Sequence, residues 1–553
     1  MATNNTPQYS FLCPYCLEKV EHDKVHFLAC SNTGDQRAKT EAELQAENAS
    51  PEERRRNGLL GLFRPRTEDE QLENFWGHRG GRAAYDRYVY GRLHGEIRWS
   101  NPLVTPENAK QMTRSGYERD ADGFVTAIHD SYAARPEDAF STIRLCPHCH
   151  NPLPPEYGRY PIRYIAVVGV TTSGKTVYLA QLTNYMARDV LGTVGLSAAA
   201  QEVENVTRIA ADLPLPPATT KETMRRPMYW TINARGHRET LVFYDIAGEN
   251  CVDAGRMQYY GLYIKHADGI VLLLDPEQFP AIAGYIGNSA GAAAYDPKTV
   301  LEALYREMDV GASRKCGIPL ALTISKSDCL EQVGDARLVP PQNHFAQPIH
   351  HLLAGSSGFA EQDYTPLSGE VQFILTREAP QMYTAAKAEF EQIGCFAVSA
   401  LGCGIRWLLS PTDSPLARPL PLTDDAAAML RDLLKKQTPQ DEMPPEMAGG
   451  IDLLWDKAGE SLDEAGPESP ADGSHVRLHA ENGEITARSA AGRTIHYIFA
   501  SMPKMQPQPR RIEEPLQWLL WQMGLIGKGE NYQQNGKGGK DSPRRMLGGL
   551  FKR

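Results

Sequence analysis

The stretch Gly169-Val170-Thr171-Thr172-Ser173-Gly174-Lys175-Thr176 constrains this chain more than any other. It follows an apolar run, Tyr164-Ile165-Ala166-Val167-Val168, that reads as a buried strand. It opens onto Val177-Tyr178-Leu179-Ala180-Gln181-Leu182, which reads as the start of a helix. Strand, glycine-bounded loop and helix in that order make a cradle for phosphate, because successive backbone N–H groups and a helix N-terminus converge on one anion. Lys175 then reaches the β- and γ-phosphates and the Thr176 hydroxyl ligates magnesium. The candidate nucleotide-binding set is Gly169, Thr171, Thr172, Ser173, Gly174, Lys175 and Thr176, running into Val177. The competing reading is a glycine-rich turn that carries a surface lysine, and the flanking strand and helix weigh against it.

From about residue 161 to 436, strand and helix patterns alternate, as a mainly parallel sheet with helices on both faces requires. Met228–Asn233 and Glu239–Tyr244 read as a hairpin of strands, the second ending in Asp245-Ile246-Ala247-Gly248-Glu249. At a strand's carboxyl end, Asp245 suits the outer shell of magnesium, and the bare Gly248 N–H can meet a γ-phosphate oxygen. Glu249 follows Gly248 directly. Lys175, Thr176, Asp245, Gly248 and Glu249 are therefore the candidate catalytic residues. Upstream, Leu213-Pro214-Leu215-Pro216-Pro217-Ala218-Thr219-Thr220 is a proline-rich segment whose threonines suit a γ-phosphate-sensing loop, or an ordinary loop.

Base recognition falls to Ser325-Lys326-Ser327-Asp328, after the strand Leu320–Ile324. An Asp there accepts two hydrogen bonds from guanine, whereas adenine would leave it unpaired. The Lys326 stem lies along the ring in this reading. A last strand, Cys395–Val398, runs into Ser399-Ala400-Leu401-Gly402, a turn whose N–H can meet the guanine oxygen. Each string is weak alone. In order, each at the carboxyl end of a strand, they reinforce one another.

Two knuckles of a different chemistry precede this region. Cys13-Pro14-Tyr15-Cys16 and Cys146-Pro147-His148-Cys149 each present two thiols from one tight turn, and together they complete a tetrahedral zinc site. More than a hundred residues separate them, so 31–144 reads as an insertion, mainly helical, in a split ribbon. Closing a long loop adds only a logarithmic entropy cost. The expected ligands are Cys13, Cys16, Cys146 and Cys149. Cys30 is an alternative ligand or a buried thiol, and His22, His26, His148 and His150 are more simply read as non-ligands. Within the insertion, Phe75-Trp76 and the alternating arginines and tyrosines from Arg79 to Arg92 could grip nucleic acid, or form a lobe with aromatics inward. The net charge of −10 favours the second and argues against nucleic acid as a partner.

At 553 residues the chain exceeds one core, and 41% hydrophobic with 23% charged residues is the balance of a soluble globular protein. No apolar run of about 18 residues is present and the N-terminus lacks leader character, so a cytoplasmic protein without a transmembrane segment is expected. The ten cysteines suit metal and core thiols in a reducing compartment. The domain expectations are a split ribbon over 1–160, a nucleotide domain over 161–436, a linker over 437–472, a small C-terminal α+β unit over 473–525 and a basic disordered tail over 526–553. In the α+β unit, His475–Leu478, Ile485–Arg488 and Ile495–Phe499 read as strands. Pro515–Met523 reads as an amphipathic helix that caps them or docks a partner. Residues 371–393 read as one helix.

The nucleotide region resembles the Ras-like and translation-factor-related P-loop GTPases. The wider layout, with CPYC, CPHCHNPLP, the phosphate loop, DIAGE, HADGIVLLLDP and SKSD, is similar to the bacterial double-GTPase (type 2) domain family over roughly residues 10–30 and 143–410. The resemblance implies a P-loop GTPase fold and a GTP/GDP-binding hydrolase that uses Mg2+, carries Zn2+ and works with a protein effector or activating partner. It also implies a setting in prokaryotic conflict, defence or signalling systems. Three positions depart from the pattern. Ser325 replaces the usual Asn or Thr, which weakens one hydrogen bond between the loops. Glu249 replaces the water-orienting Gln, so slow intrinsic hydrolysis is expected. Thr171 replaces a Gly and crowds any arginine supplied by a partner, while Arg225, Arg226 and Arg235 are candidates within the chain. Two rival readings are an ATPase that shares only the phosphate loop, and a zinc-ribbon adaptor with a vestigial nucleotide site.

Overall fold

Alternate residues of Ile162–Gly169 (β1) face opposite ways, as in any extended strand, and from Tyr164 onward both sets are buried. Tyr164, Ala166 and Val168 enter one core and Ile165 and Val167 another, so β1 has a hydrophobic layer on each side. In the computed structural model, the described residues are 9–28, 71–77, 103–105, 117–129, 140–169, 173–202, 209–211, 213–216, 227–234, 236–247, 254–286, 297–308, 314–341, 344, 358–411, 420–422, 427, 451–454, 475–481, 484–488 and 494–528.

β1 belongs to a seven-stranded sheet with Ser197–Glu202 (β2), Met228–Ala234 (β3), His237–Ala247 (β4), Gly269–Leu274 (β5), Leu320–Ile324 (β6) and Ile393–Ala397 (β7). The spatial order is β2-β3-β4-β1-β5-β6-β7. The pairs from β4 through β7 are parallel, while β2 with β3 and β3 with β4 are antiparallel. Every residue of β5 and β6 is buried, which is why those strands are apolar but for Thr323 instead of alternating.

The longer helices of this layer are Lys175–Tyr185 (α1), Ala254–Lys265 (α2), Pro297–Glu307 (α3), Glu361–Glu378 (α4), Pro380–Glu389 (α5) and Glu514–Gln522 (α6). α2 to α5 line one face of the sheet, and α1 and α6 line the other. The single helix expected over 371–393 is two. Pro380 lacks the N–H that would continue α4 and opens α5 instead.

A second, antiparallel sheet has the order β9-β8-β13-β12-β11-β10, from Ile405–Pro411 (β8), Leu420–Leu422 (β9), Ile451–Leu454 (β10), His475–Glu481 (β11), Glu484–Arg488 (β12) and Thr494–Pro503 (β13). Its place in the chain redraws the expected boundaries. β8 and β9 fall within 161–436 yet join this sheet, and β10 falls within the stretch expected to be a linker. α6 falls within 473–525 but packs on the large sheet, with Leu516, Trp518, Leu519 and Leu520 in the same core as Ile165, Val271 and Phe396. Pro515 to Leu520 are all buried, Gln517 among them, and the Gln517 amide donates to the Val190 carbonyl at 2.7 Å. The tail beyond residue 528 lies outside the described residues.

At the N-terminal end, Ser10–Leu12 pairs with Lys19–Glu21, and His26–Leu28 joins Leu103–Val104, Arg144–Leu145 and Pro152–Leu153. Tyr117–Arg119, Val125–His129 and Phe140–Ser141 form a further three-stranded sheet. The insertion expected to be mainly helical is therefore more strand than helix among the described residues, where 71–77 is its one helix. Phe75 and Trp76 are buried there, and the Trp76 Nε1–H donates to Asn151 Oδ1 at 3.0 Å. Arg79, Arg82, Tyr85, Arg87, Tyr88, Tyr90 and Arg92 lie outside the described residues.

Candidate functional site

Because β4, β1, β5, β6 and β7 run parallel, their carboxyl ends meet at one edge of the sheet. β1 lies at the reversal of strand order, between β4 and β5, where such sheets open a crevice for ligands. Gly169 ends β1 in register with Ala247 on one side and Leu273 on the other. The chain then enters α1 through Gly174, whose φ of +74° is a left-handed conformation that suits glycine. Ser173 is 1% exposed, and its Oγ has no hydrogen-bond partner among the described residues. A buried hydroxyl of that kind suits an external acceptor. Lys175 and Asp245 form a buried ion pair, Nζ to Oδ1 at 3.5 Å, with side chains 8% and 2% exposed. Thr176 follows in the first turn of α1. Thr171, Thr172, Gly248 and Glu249 lie outside the described residues, as do Thr219, Thr220, Arg225, Arg226 and Arg235.

The loops after β6 and β7 touch directly. The Ser399 hydroxyl donates to Asp328 Oδ1 at 2.6 Å and accepts from the Gly402 N–H at 2.8 Å, so the carboxylate is held by the turn beside it. Ser327 N–H donates to the Val398 carbonyl at 3.1 Å. Ser325 turns back, its Oγ donating to the Leu274 carbonyl at 3.1 Å, and so ties the ends of β5 and β6 together. From α1, the Gln181 amide donates to the Ala400 carbonyl at 3.0 Å. Sequence reasoning missed the partners of Lys326. Its ammonium donates to Asp275 Oδ2 at 2.8 Å and Glu277 Oε2 at 2.7 Å. Burial works to lower the Lys326 pKa, but the two carboxylates outweigh it and raise the value. The signal was present in Asp275-Pro276-Glu277, where an acidic pair follows a wholly apolar strand.

Residues 163–354 match the Double-GTPase 2 family. That stretch carries β1 to β6, the Lys175–Asp245 pair and Asp328, and it stops before the Ser399 turn. The chain is also similar to a candidate ESX-1 scaffolding and assembly protein, SaeC, of Mycolicibacterium smegmatis, at 26% identity over 215 residues. The match covers 35% of this chain and 53% of SaeC, so the chain spans about half the length of that curated relative.

The four knuckle cysteines lie together in front of the Double-GTPase 2 region. The Sγ atoms of Cys13, Cys16, Cys146 and Cys149 are all within 4.8 Å of one another, a spacing that can hold a metal ion. Cys13 to Cys149 and Cys16 to Cys146 are each 3.7 Å apart. The two knuckles share one geometry. Leu17 and His150, each next to a second cysteine, have φ of +57° and +53°, and their N–H groups donate to Cys13 and Cys146 carbonyls at 2.9 Å. Tyr15 N–H points at Cys13 Sγ and His148 N–H at Cys146 Sγ, both at 3.4 Å. Donors aimed at sulfur favour thiolates, and a four-thiolate set fits zinc. The histidines are engaged elsewhere: His22 accepts from Val125 N–H at 3.3 Å, His26 meets His150 at 3.2 Å, and His148 meets the Lys19 carbonyl at 3.3 Å. Cys30 lies outside the described residues. Among the described residues, no helix is long and apolar enough to cross a membrane.

Proposed function

We propose that the protein is a guanine-nucleotide switch that hydrolyses GTP slowly and passes its state to a protein partner. The observation that carries this reading is convergence. Gly169, Ser173, Lys175, Asp245, Asp328 and Ser399 belong to four separate strand ends along one sheet edge. A lone phosphate loop needs no Asp328–Ser399 bond. A guanine site does, because a carboxylate held in one plane pairs with the two donors of guanine and rejects adenine.

The residues divide the work by place. The loop N–H groups and the α1 N-terminus bind phosphate, and Lys175 neutralises it, leaving Asp245 as its acidic neighbour. Thr176 and Asp245 are the residues that fit magnesium, which when bound neutralises charge that develops on the phosphates. Gly248 and Glu249 complete the reading, Glu249 near the attacking water, where a carboxylate in place of Gln supports slow turnover. Asp328 selects the base, and Asp275 with Glu277 hold Lys326 beside it. The four-cysteine cluster serves as a closed structural zinc site. Similarity to a scaffolding and assembly protein supports a protein partner over nucleic acid, and the setting proposed for it is a prokaryotic conflict, defence or signalling system.

Binding and turnover of GTP and ATP with magnesium, on wild type and Lys175→Ala, test this. GTP should bind at least about a hundredfold more tightly than ATP, and Lys175→Ala should lose most of that binding. Equal affinity for the two nucleotides would leave an ATPase or a general phosphate site, and the absence of binding would end the reading.

A further inference from the structure

The base slot described above is built from two loops, and neither closes it alone. The chain leaves the Ser399 turn, makes the small sheet from β8 to β13, and returns along 504–512 before entering α6. The return segment runs antiparallel beside the turn. Lys504 N–H donates to the Gly404 carbonyl at 2.9 Å, and Gln508 N–H to the Leu401 carbonyl at 2.7 Å. Ser399 and Arg510 exchange both backbone bonds, at 3.0 and 2.8 Å. Gly402, at φ +62°, has the Gln508 carbonyl where a Cβ would stand, so the two backbones approach as closely as only glycine permits. The segment is anchored beyond the turn as well, because the Tyr178 hydroxyl on α1 donates to the Ile512 carbonyl at 3.1 Å.

Arg510 does more than pair with Ser399. Its guanidinium forms an ion pair with Glu331. Glu331 lies in the short helix Ser327–Gln332, which carries Asp328. One residue therefore grips the turn through its backbone and the Asp328 helix through its side chain. The Asp328–Ser399 hydrogen bond lies between those two grips. We propose that Arg510 is a positioning residue for guanine-nucleotide retention, and that the C-terminal return segment closes the base slot by holding its two loops together. The inference rests on the guanine reading of this site and deepens it. Arg510 touches neither base nor phosphate in this role. It acts through Asp328 and the Ser399 turn, so its loss should speed release of the base-bearing ligand and spare the phosphate end.

The test uses the full chain and the release rate of a fluorescent GDP chased with excess GDP. The variants are Arg510→Ala, Arg510→Lys, Arg510→Glu, Glu331→Arg and the charge-swapped pair Arg510→Glu/Glu331→Arg. Inorganic tripolyphosphate, as a competitor without a base, reads the phosphate end separately. Arg510→Ala should release GDP about fivefold faster, the scale of a part-exposed ion pair. Arg510→Lys should fall between it and wild type, and the charge swap should return to within about twofold of wild type. Tripolyphosphate affinity should not change. Unchanged GDP release from Arg510→Ala, a swap that rescues nothing, or an equal loss of GDP and tripolyphosphate affinity would each overturn the proposal while leaving the guanine reading standing. A wild-type protein that retains no GDP would remove both.

Discussion

At the scale of single residues, the proposed guanine reading rests on Asp328. Its carboxylate is fixed by the Ser399 hydroxyl at 2.6 Å, so Asp328→Asn exchanges an acceptor for a donor within an otherwise intact slot. That variant should lose about a hundredfold or more in GTP affinity and gain affinity for xanthosine triphosphate, measured by competition against labelled GTP. A variant that keeps its preference for guanine would place base recognition elsewhere. Glu514, at the start of α6, makes a second residue-scale prediction. Burial pushes its carboxyl up to about 8 from 4.5, although Arg511 beside it works in the opposite direction. Between those two values the folded chain keeps a proton that the unfolded chain has released, so stability falls as pH rises through that window. The urea midpoint of wild type should therefore decline from pH 5 to pH 8, and Glu514→Gln should remove that part of the slope. An equal slope in both proteins would assign the decline to other groups.

At the scale of elements, α6 completes the large sheet from far along the chain. Leu519 is fully buried in the core that α1 shares, and Leu520 and Trp518 flank it. Leu519→Ala should cost about 2–5 kcal/mol, the usual range for a truncated core leucine, read as a lower denaturant midpoint. A cost under about 0.5 kcal/mol would mean that the helix only rests on the surface. This element also marks how far sequence reading reaches. β1, β4, β5 and β6 were legible because each is a run of apolar residues that ends in a chemical signature, as β4 does in Asp245. The docking of α6 was not, because its apolar pattern reports that the helix buries a face and says nothing of which sheet receives it. Asp275-Pro276-Glu277 signals an acidic pair but not its partner, for a similar reason: Lys326 is distant in sequence and meets the pair only because β5 and β6 are neighbours.

At the scale of the whole molecule, the cysteine module and the Double-GTPase 2 region share one core, and tyrosine hydroxyls join them. Tyr157 and Tyr164 both donate to the Leu12 carbonyl at 3.1 Å, and Tyr263 on α2 donates to the Tyr15 carbonyl, within the first knuckle. Tyr164 lies on β1 and stacks on Tyr244, the residue before Asp245, with ring centroids 5.9 Å apart and planes 11° apart. Tyr244 in turn meets Tyr263 at 4.4 Å. The knuckle is thus fastened to the strand that ends in Gly169 and to the strand that carries Asp245. If zinc holds the knuckle, stripping it should loosen both. Purified protein should carry about one zinc per chain, and chelation should lower the melting temperature by several degrees, since metal energy at such sites is folding energy. Tyr263→Phe removes one fastening without touching a thiol, so in that variant chelation should lower the melting temperature less. Chelation that removes zinc and leaves melting unchanged would show the cysteine module to be an appendage that the large sheet does not feel.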